Sequence, residues 1–241
     1  PRIALAAPTG KAAARLQEAV RIEIGNLAEV DRARLTGLRA VTLHRLLGSR
    51  PDTSARFRHH RGNRLPHDVI VVDETSMVSL TLMARLLEAL RPDTRLILVG
   101  DPDQLSSVEA GAVLADLVDG LGRRGDTRIA TLRTSHRFGA TIDLLAQAIR
   151  VGDAEQVLAL LSADSENIEF VDTASAPAVE RLREVLVPQA LRIREAALSG
   201  DPDAALAALD AHRLLCAHRD GPVGVRQWNR QVERWLTEAT R

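Results

Sequence analysis

Val69-Ile-Val-Val-Asp-Glu-Thr-Ser-Met77 is the stretch on which the reading of this chain turns. Four consecutive β-branched apolar residues run straight into paired carboxylates, the pattern of a strand buried on both faces whose C-terminal end opens at a site. Open α/β sheets bind ligands outside the carboxyl ends of their strands, which places Asp73 and Glu74 as site residues. A second run of the same type, Arg95-Leu-Ile-Leu-Val-Gly100, delivers Asp101-Pro-Asp-Gln104 to the same edge. Together the two strand ends supply what nucleotide hydrolysis needs. One carboxylate can hold Mg²⁺, its neighbour can polarise the attacking water, and an amide on the adjacent strand can touch the terminal phosphate. Taken alone, an Asp-Glu pair after an apolar run is common and says little. Its context carries the weight.

At 241 residues the chain is long enough for one large or two small domains. Its 45% hydrophobic and 27% charged residues match an ordinary globular composition, and no apolar run approaches the length of a membrane span. The chain opens at Pro1, inside an apolar run and without an initiator Met, which reads as a piece of a longer protein. Formal net charge is zero, so bulk electrostatics announce no nucleic-acid partner. Lysine occurs once, at Lys11, leaving 31 of the 32 basic residues as arginine. A single cysteine, Cys216, excludes an internal disulfide and a Cys-based zinc site and fits a reducing cytoplasm. Aromatic content is 2%, offering few stacking platforms to single-stranded bases.

Ahead of the acidic stretch, Arg2-Ile-Ala-Leu-Ala-Ala7 reads as a buried parallel strand ending in Pro8-Thr9-Gly10, and Lys11 to Ile24 as a helix with Leu16, Val20 and Ile24 on one face. This is not a phosphate-binding loop of the Gly-x-x-x-x-Gly-Lys-Ser/Thr type. Leu5 stands where the first glycine belongs and Ala12 where the hydroxyl belongs. What remains is a strand-to-helix turn with Thr9 as N-cap, whose exposed amides can grip a phosphate of another molecule. Thr42 and His44 read as a second N-cap and a solvated histidine. Between Arg50 and His67 a basic stretch holds Arg56, Arg58, His59, His60, Arg61 and Arg64. It reads as a solvated hairpin with Gly62-Asn63 at its turn, a phosphate-facing hairpin being the sharper alternative.

Downstream, Leu80 to Leu90 is a helix with Leu82, Leu86, Leu87 and Leu90 toward the sheet, and Ser107 to Asp119 is another. Arg128 to Leu132, Ile168 to Val171 and Arg213 to His218 read as further strands. Arg137 follows the first of these. An arginine at such an edge is usually an ion-pair partner, but in a nucleotide-binding sheet it can reach the γ-phosphate. Helices over about Thr141–Val151, Ala154–Leu161, Pro177–Leu198 and Pro202–His212 follow, with a last one carrying Val225, Trp228, Val232, Trp235 and Leu236 on its apolar side.

With these segments laid out, the chain resembles the superfamily-one DNA helicases, most closely their RecD-like members. Leu5-Ala-Ala-Pro-Thr-Gly-Lys-Ala-Ala-Ala-Arg-Leu16 is similar to motif Ia, and Thr42-Leu-His-Arg-Leu-Leu47 to the segment that follows it. Val71 to Met77 resembles motif II, Leu98 to Val108 motif III, and Ser135-His-Arg-Phe138 motif IV. Cys216 to Val225 with Trp228-Asn229 is similar to the second motor domain. The resemblance implies an α/β fold of the RecA-like P-loop NTPase class. Residues 1–163 would be a partial first motor domain and 164–241 the start of a second. It also implies ATP and Mg²⁺ as cofactors. Asp73 would ligand Mg²⁺, Glu74 activate the hydrolytic water, Gln104 sense the γ-phosphate, and Arg137 stabilise its developing charge. Pro8, Thr9, Lys11, Thr42 and His44 would lie along the path of single-stranded DNA.

The partners so implied are single-stranded DNA or DNA ends and RecB-like and RecC-like subunits in a heterotrimer. The implied setting is 5′-to-3′ movement in cytoplasmic double-strand-break repair, with no membrane. The family's Walker A loop is expected before Pro1 and motifs V and VI after Arg241, so residues 1 to 241 alone are expected neither to bind ATP tightly nor to unwind DNA. Two rivals stay open. One is a stand-alone RecD-like helicase or the helicase part of a conjugative relaxase. The other, of a different class, is a non-catalytic α/β interaction module.

Overall fold

The apolar runs at the start of the chain and before Asp73 pair side by side in the computed structural model, which describes residues 1–50, 53–104, 112–125, 128–132, 139–163, 165–171 and 176–240. Two compact units are formed, Pro1–Thr134 and Ser135–Arg241. The boundary placed at Ala163 from sequence falls inside the second.

In the first unit β1 (Ile3–Ala7) leads into α1 (Gly10–Gly25) and α2 (Glu29–Leu35), then β2 (Ala40–Thr42) and α3 (Leu43–Leu47). A hairpin of β3 (Ser49–Arg50) and β4 (Thr53–Phe57) follows, then β5 (Val69–Val72), α4 (Leu80–Ala89), β6 (Arg95–Leu98) and α5 (Val113–Arg123). The sheet order is β2-β1-β5-β6, and every pair is parallel. Ala7 faces Thr42, Ala6 faces Val72, and Val72 faces Leu98. Because side chains alternate across a strand, this register gathers Ala4, Ala6, Ile70 and Val72 on one face. There they join Leu43 and Leu47 of α3, Leu65, Val78, and Met83, Leu86 and Ala89 of α4 in one core. The two alanines leave room for the leucines above them. Truncating the fully buried Leu86 to alanine removes packing of the kind that costs about 2–5 kcal/mol.

The sheet is less evenly buried than its composition suggests. In β5, Ile70 and Val72 are sealed while Val69 and Val71 are half-covered. β6 is no interior strand among the described residues. It is bonded only to β5, and Ile97 and Val99 are exposed because no described element packs over that face. In α4 the inward residues are Met83, Leu86 and Ala89, with Leu82 and Leu90 at the margin, whereas Leu87 is exposed. The helix is rotated relative to the leucine-based expectation.

The second unit is helical among its described residues. It comprises α6 (Ala140–Val151), α7 (Ala154–Ser162), α8 (Ala176–Leu198), α9 (Pro202–Ala211) and α10 (Val225–Ala239). Gly152, in the left-handed region at φ 73°, ends α6, and the Asp153 carboxylate caps α7 by accepting from the Gln156 amide at 3.0 Å. α8 packs against α9 and α10. Trp235 of α10 is buried beneath the Arg183 guanidinium, 5.8 Å from the ring centre, and Arg183 also pairs with Glu238 at 3.0 Å. The buried Gln189 amide donates to the Ala208 carbonyl and accepts from Arg192 at 2.6 Å, joining α8 to α9. The segments 128–132, 168–171 and 213–218, expected as strands, are not strands. Ile168 makes only an isolated bridge to Ser165. An apolar run becomes a strand only when a partner offers its ladder, and no described segment does so here.

At the amino edge of the sheet, one carboxylate ties three strand starts together. Asp68 accepts from the Arg2 backbone amide at 2.7 Å and from the Arg91 guanidinium at 2.5 Å. Its own N–H donates to the Arg2 carbonyl, and its carbonyl accepts from the Arg95 amide. The Arg2 amide, then Arg91, holds the Asp68 carboxyl well below the usual aspartate range. A depressed folded-state pKa stabilises above the unfolded value, near 3.8, and that stabilisation is lost as the pH falls below it. Asp68→Asn is therefore expected to lower the thermal midpoint at neutral pH. It should also flatten the loss of stability below about pH 4, measured by circular-dichroism melts across the acid range.

Candidate functional site

Parallel pairing sends the carboxyl ends of all four strands to one edge, so the site is assembled by topology before any loop is considered. After β1 the chain turns through Pro8 and Thr9 into α1. Thr9 is extended, with φ −118° and ψ 157°, and its Oγ1 accepts from the Ala12 amide at 3.2 Å. Lys11 is exposed in the first turn of α1. Beside it, Thr42 ends β2 and caps α3 in the same way, Oγ1 accepting from the Arg45 amide at 3.2 Å. Both caps are those expected from sequence. His44 is exposed, its ring 5.8 Å from Phe57 at the foot of the hairpin.

On the other side of β1, Asp73 follows β5, and its N–H donates to the Ala6 carbonyl at 2.9 Å. Its Oδ1 accepts from the Glu74 amide at 2.9 Å. Glu74 has φ 52° and ψ 42°, the one positive-φ residue other than glycine among those described. Such a conformation costs about 1–3 kcal/mol in a residue with a side chain and persists only where the surroundings fix it. Both carboxylates are half-buried. From β6 the chain passes Val99 and Gly100 to Asp101, whose Oδ1 accepts from the Asp103 amide at 3.0 Å and whose carbonyl accepts from Gln104 at 3.3 Å. Gln104 is exposed on this edge.

Thus Asp73, Glu74 and Gln104 come from neighbouring strand ends, and Pro8, Thr9, Lys11, Thr42 and His44 from the two strands on the other side. Arg137, with the rest of Ser135 to Phe138, lies outside the described residues. Asp73 suits Mg²⁺. One oxygen is steadied by the Glu74 amide, its other oxygen meets no donor among the described residues, and Mg²⁺ takes only one or two carboxylates beside phosphate oxygens and water.

The basic stretch is largely occupied with its own fold and with the C-terminal end of α4, toward the amino edge of the sheet. His60 and Asn63 pair across a turn centred on Arg61-Gly62, one residue earlier than expected. His60 Nδ1 accepts from the Gly62 amide at 3.1 Å, Asn63 Nδ2 donates to the Arg58 carbonyl at 2.8 Å, and Arg64 donates to the Leu90 carbonyl at 2.8 Å. Arg58 and His60 through Arg64 are exposed.

Four residues to which sequence assigned no role position these elements. Ser79 caps α4, accepting from the Leu82 amide at 3.3 Å, and a serine before an apolar run is a readable N-cap signal. Gln17 Oε1 accepts from the Ala40 amide at 2.7 Å across 23 residues, and no local pattern announces that bond. Thr75 and Gly100 meet where the β5 and β6 turns touch. A Cβ on Gly100 would stand 3.0 Å from the Thr75 nitrogen and 2.9 Å from Leu114 Cδ2.

A parallel sheet flanked by helices, with an acidic pair and a neighbouring amide on its carboxyl edge, is the RecA-like architecture of the P-loop class. The chain belongs to the AAA domain family, whose sequence model matches residues 1–173. Over its full length the chain is 71% identical to the RecBCD enzyme subunit RecD of Mycolicibacterium smegmatis and 70% identical to that of Mycobacterium tuberculosis. It spans 42% and 41% of the lengths of these two relatives. Over 114 residues, 45% of the chain and 16% of the relative, it is 44% identical to the ATP-dependent RecD2 DNA helicase of Deinococcus radiodurans. The resemblance read from the motifs is borne out by these matches.

Proposed function

We propose that this chain is a central part of the ATP-driven motor of a RecD-type DNA helicase subunit, working with RecB-like and RecC-like partners on DNA ends in the cytoplasm. The observation that carries the reading is the adjacency of β5 and β6, which brings Asp73, Glu74 and Gln104 to one edge beside the turns of β1 and β2. Asp73 would hold Mg²⁺, which when bound neutralises charge on the β- and γ-phosphate oxygens. Glu74 orients and polarises the attacking water, and Gln104 reports the terminal phosphate. Arg137 is assigned the developing charge on that phosphate. Pro8, Thr9, Lys11, Thr42 and His44 face the strand along which the motor steps 5′ to 3′. In this reading residues 1–163 belong to a first motor domain and 164–241 begin a second, the family match covering residues 1–173. Identity near 70% over the whole chain, against 44% over less than half of it, favours the heterotrimeric reading over a stand-alone helicase.

Two outcomes test this. Glu74→Gln in the intact protein is expected to cut DNA-stimulated ATP hydrolysis by about 10²–10⁴-fold while leaving ATP binding, an effect a non-catalytic module would not show. Lys11→Ala is expected to weaken single-stranded DNA binding and to reduce the slope of log affinity against log salt by about 0.7, read by fluorescence anisotropy across a salt series.

A further inference from the structure

Accepting the hydrolytic site just proposed, what keeps Glu74 in its left-handed conformation is written in the residue after it. Thr75 is fully buried and bonded on both sides. Its Oγ1 donates to the Val72 carbonyl at 3.1 Å, and its N–H donates to the Val99 carbonyl at 3.0 Å. The Val72 carbonyl also accepts the Val99 amide at 2.8 Å, so Val72, Thr75 and Val99 close a ring of three hydrogen bonds across the ends of β5 and β6. The chain then continues as one tight turn, Met77 donating to the Glu74 carbonyl at 3.1 Å and Val78 to the Thr75 carbonyl at 3.0 Å. Gly100 follows Val99 directly. A Cβ there would stand 3.0 Å from the Thr75 nitrogen and 3.3 Å from the Ser76 nitrogen, so the hydrogen-bonded turn would have to give by a few tenths of an ångström.

We propose that Thr75 is a positioning residue for the Glu74 carboxylate and that Gly100 is the space it needs, the pair locking the acidic turn to the strand that leads to Gln104. The hydroxyl fixes the turn to its own strand and the amide fixes it to the neighbour. Glu74 lies between two anchored residues, Asp73 on the Ala6 carbonyl and Thr75 on the Val99 carbonyl, and bridges them at φ 52° and ψ 42°. A displacement of the Gly100 to Gln104 segment is thereby felt at the carboxylate.

A residue that merely fills the core gives the opposite ranking of substitutions from one that positions. Valine reproduces the shape of threonine without its donor, and serine keeps the donor but leaves a methyl-sized gap. In DNA-stimulated ATPase assays of the intact protein, Thr75→Val is expected to lower kcat roughly tenfold, the weight of one hydrogen bond felt at the transition state, with KM for ATP within about twofold. Thr75→Ser is expected to stay within about threefold of the unsubstituted protein, and Gly100→Ala to lose kcat as the valine variant does. Glu74→Gln separates the two questions, since retention of activity there defeats the hydrolytic reading itself. If Glu74→Gln is inactive but Thr75→Val keeps its kcat, or serine is the worse replacement, or the loss falls on KM, positioning is overturned alone. Should the valine variant not fold, the serine and Gly100→Ala proteins decide, and unchanged kcat in the latter defeats the proposal.

Discussion

The parallel ladder joining β1, β5 and β6 is the constraint from which the rest follows. Ala6 opposite Val72 and Val72 opposite Leu98 set two things at once. On the faces, the register aligns Ala4, Ala6, Ile70 and Val72 beneath the leucines of α3 and α4, and a slip of one residue would turn all four away. At the edge, it fixes how far each strand end projects, so Asp73 stands one residue past the last pair and bonds to the Ala6 carbonyl. The core and the candidate site are two consequences of one alignment. A substitution that weakened the packing of Ile70 or Val72 would reach the carboxylates without touching them.

The parts of the molecule legible in the sequence are those whose cause is local or strongly patterned. Val69 to Val72 and Ile3 to Ala7 read as strands because uninterrupted apolar β-branched and small residues have few other homes. Thr9 and Thr42 read as caps because a hydroxyl three residues before a helical amide is a short-range geometry. Arg128 to Leu132, Ile168 to Val171 and Arg213 to His218 have similar composition yet form no strand, since strandhood is decided by a distant partner that composition does not encode. The tilt of α4 toward Met83 rather than Leu87 was hidden for a related reason. A helix with apolar residues on more than one face is oriented by what it meets.

Within the candidate site the same division holds. The carboxylates were visible as an interruption of an apolar run and Gln104 as part of a Gly-Asp-Pro-Asp-Gln turn. Thr75 was hidden because its significance lies in Val99, the residue just past β6, and the left-handed turn at Glu74 has no sequence mark at all. Glutamate is not a residue chosen for positive φ. The conformation is imposed from outside, by bonds on either side of it.

Among the described residues, the two edges of the sheet treat acidic residues in opposite ways. At the amino edge Asp68 meets two arginines and a backbone amide, so its charge is answered within the chain. At the carboxyl edge Asp73 and Glu74 stand next to each other, half-buried, with no ion pair to either among the described residues and a strained backbone between them. For stability alone the positive φ of Glu74 is unfavourable. On the function proposed above, positive charge reaches this pair with the ligand, as a magnesium-bound triphosphate would present it to such an edge.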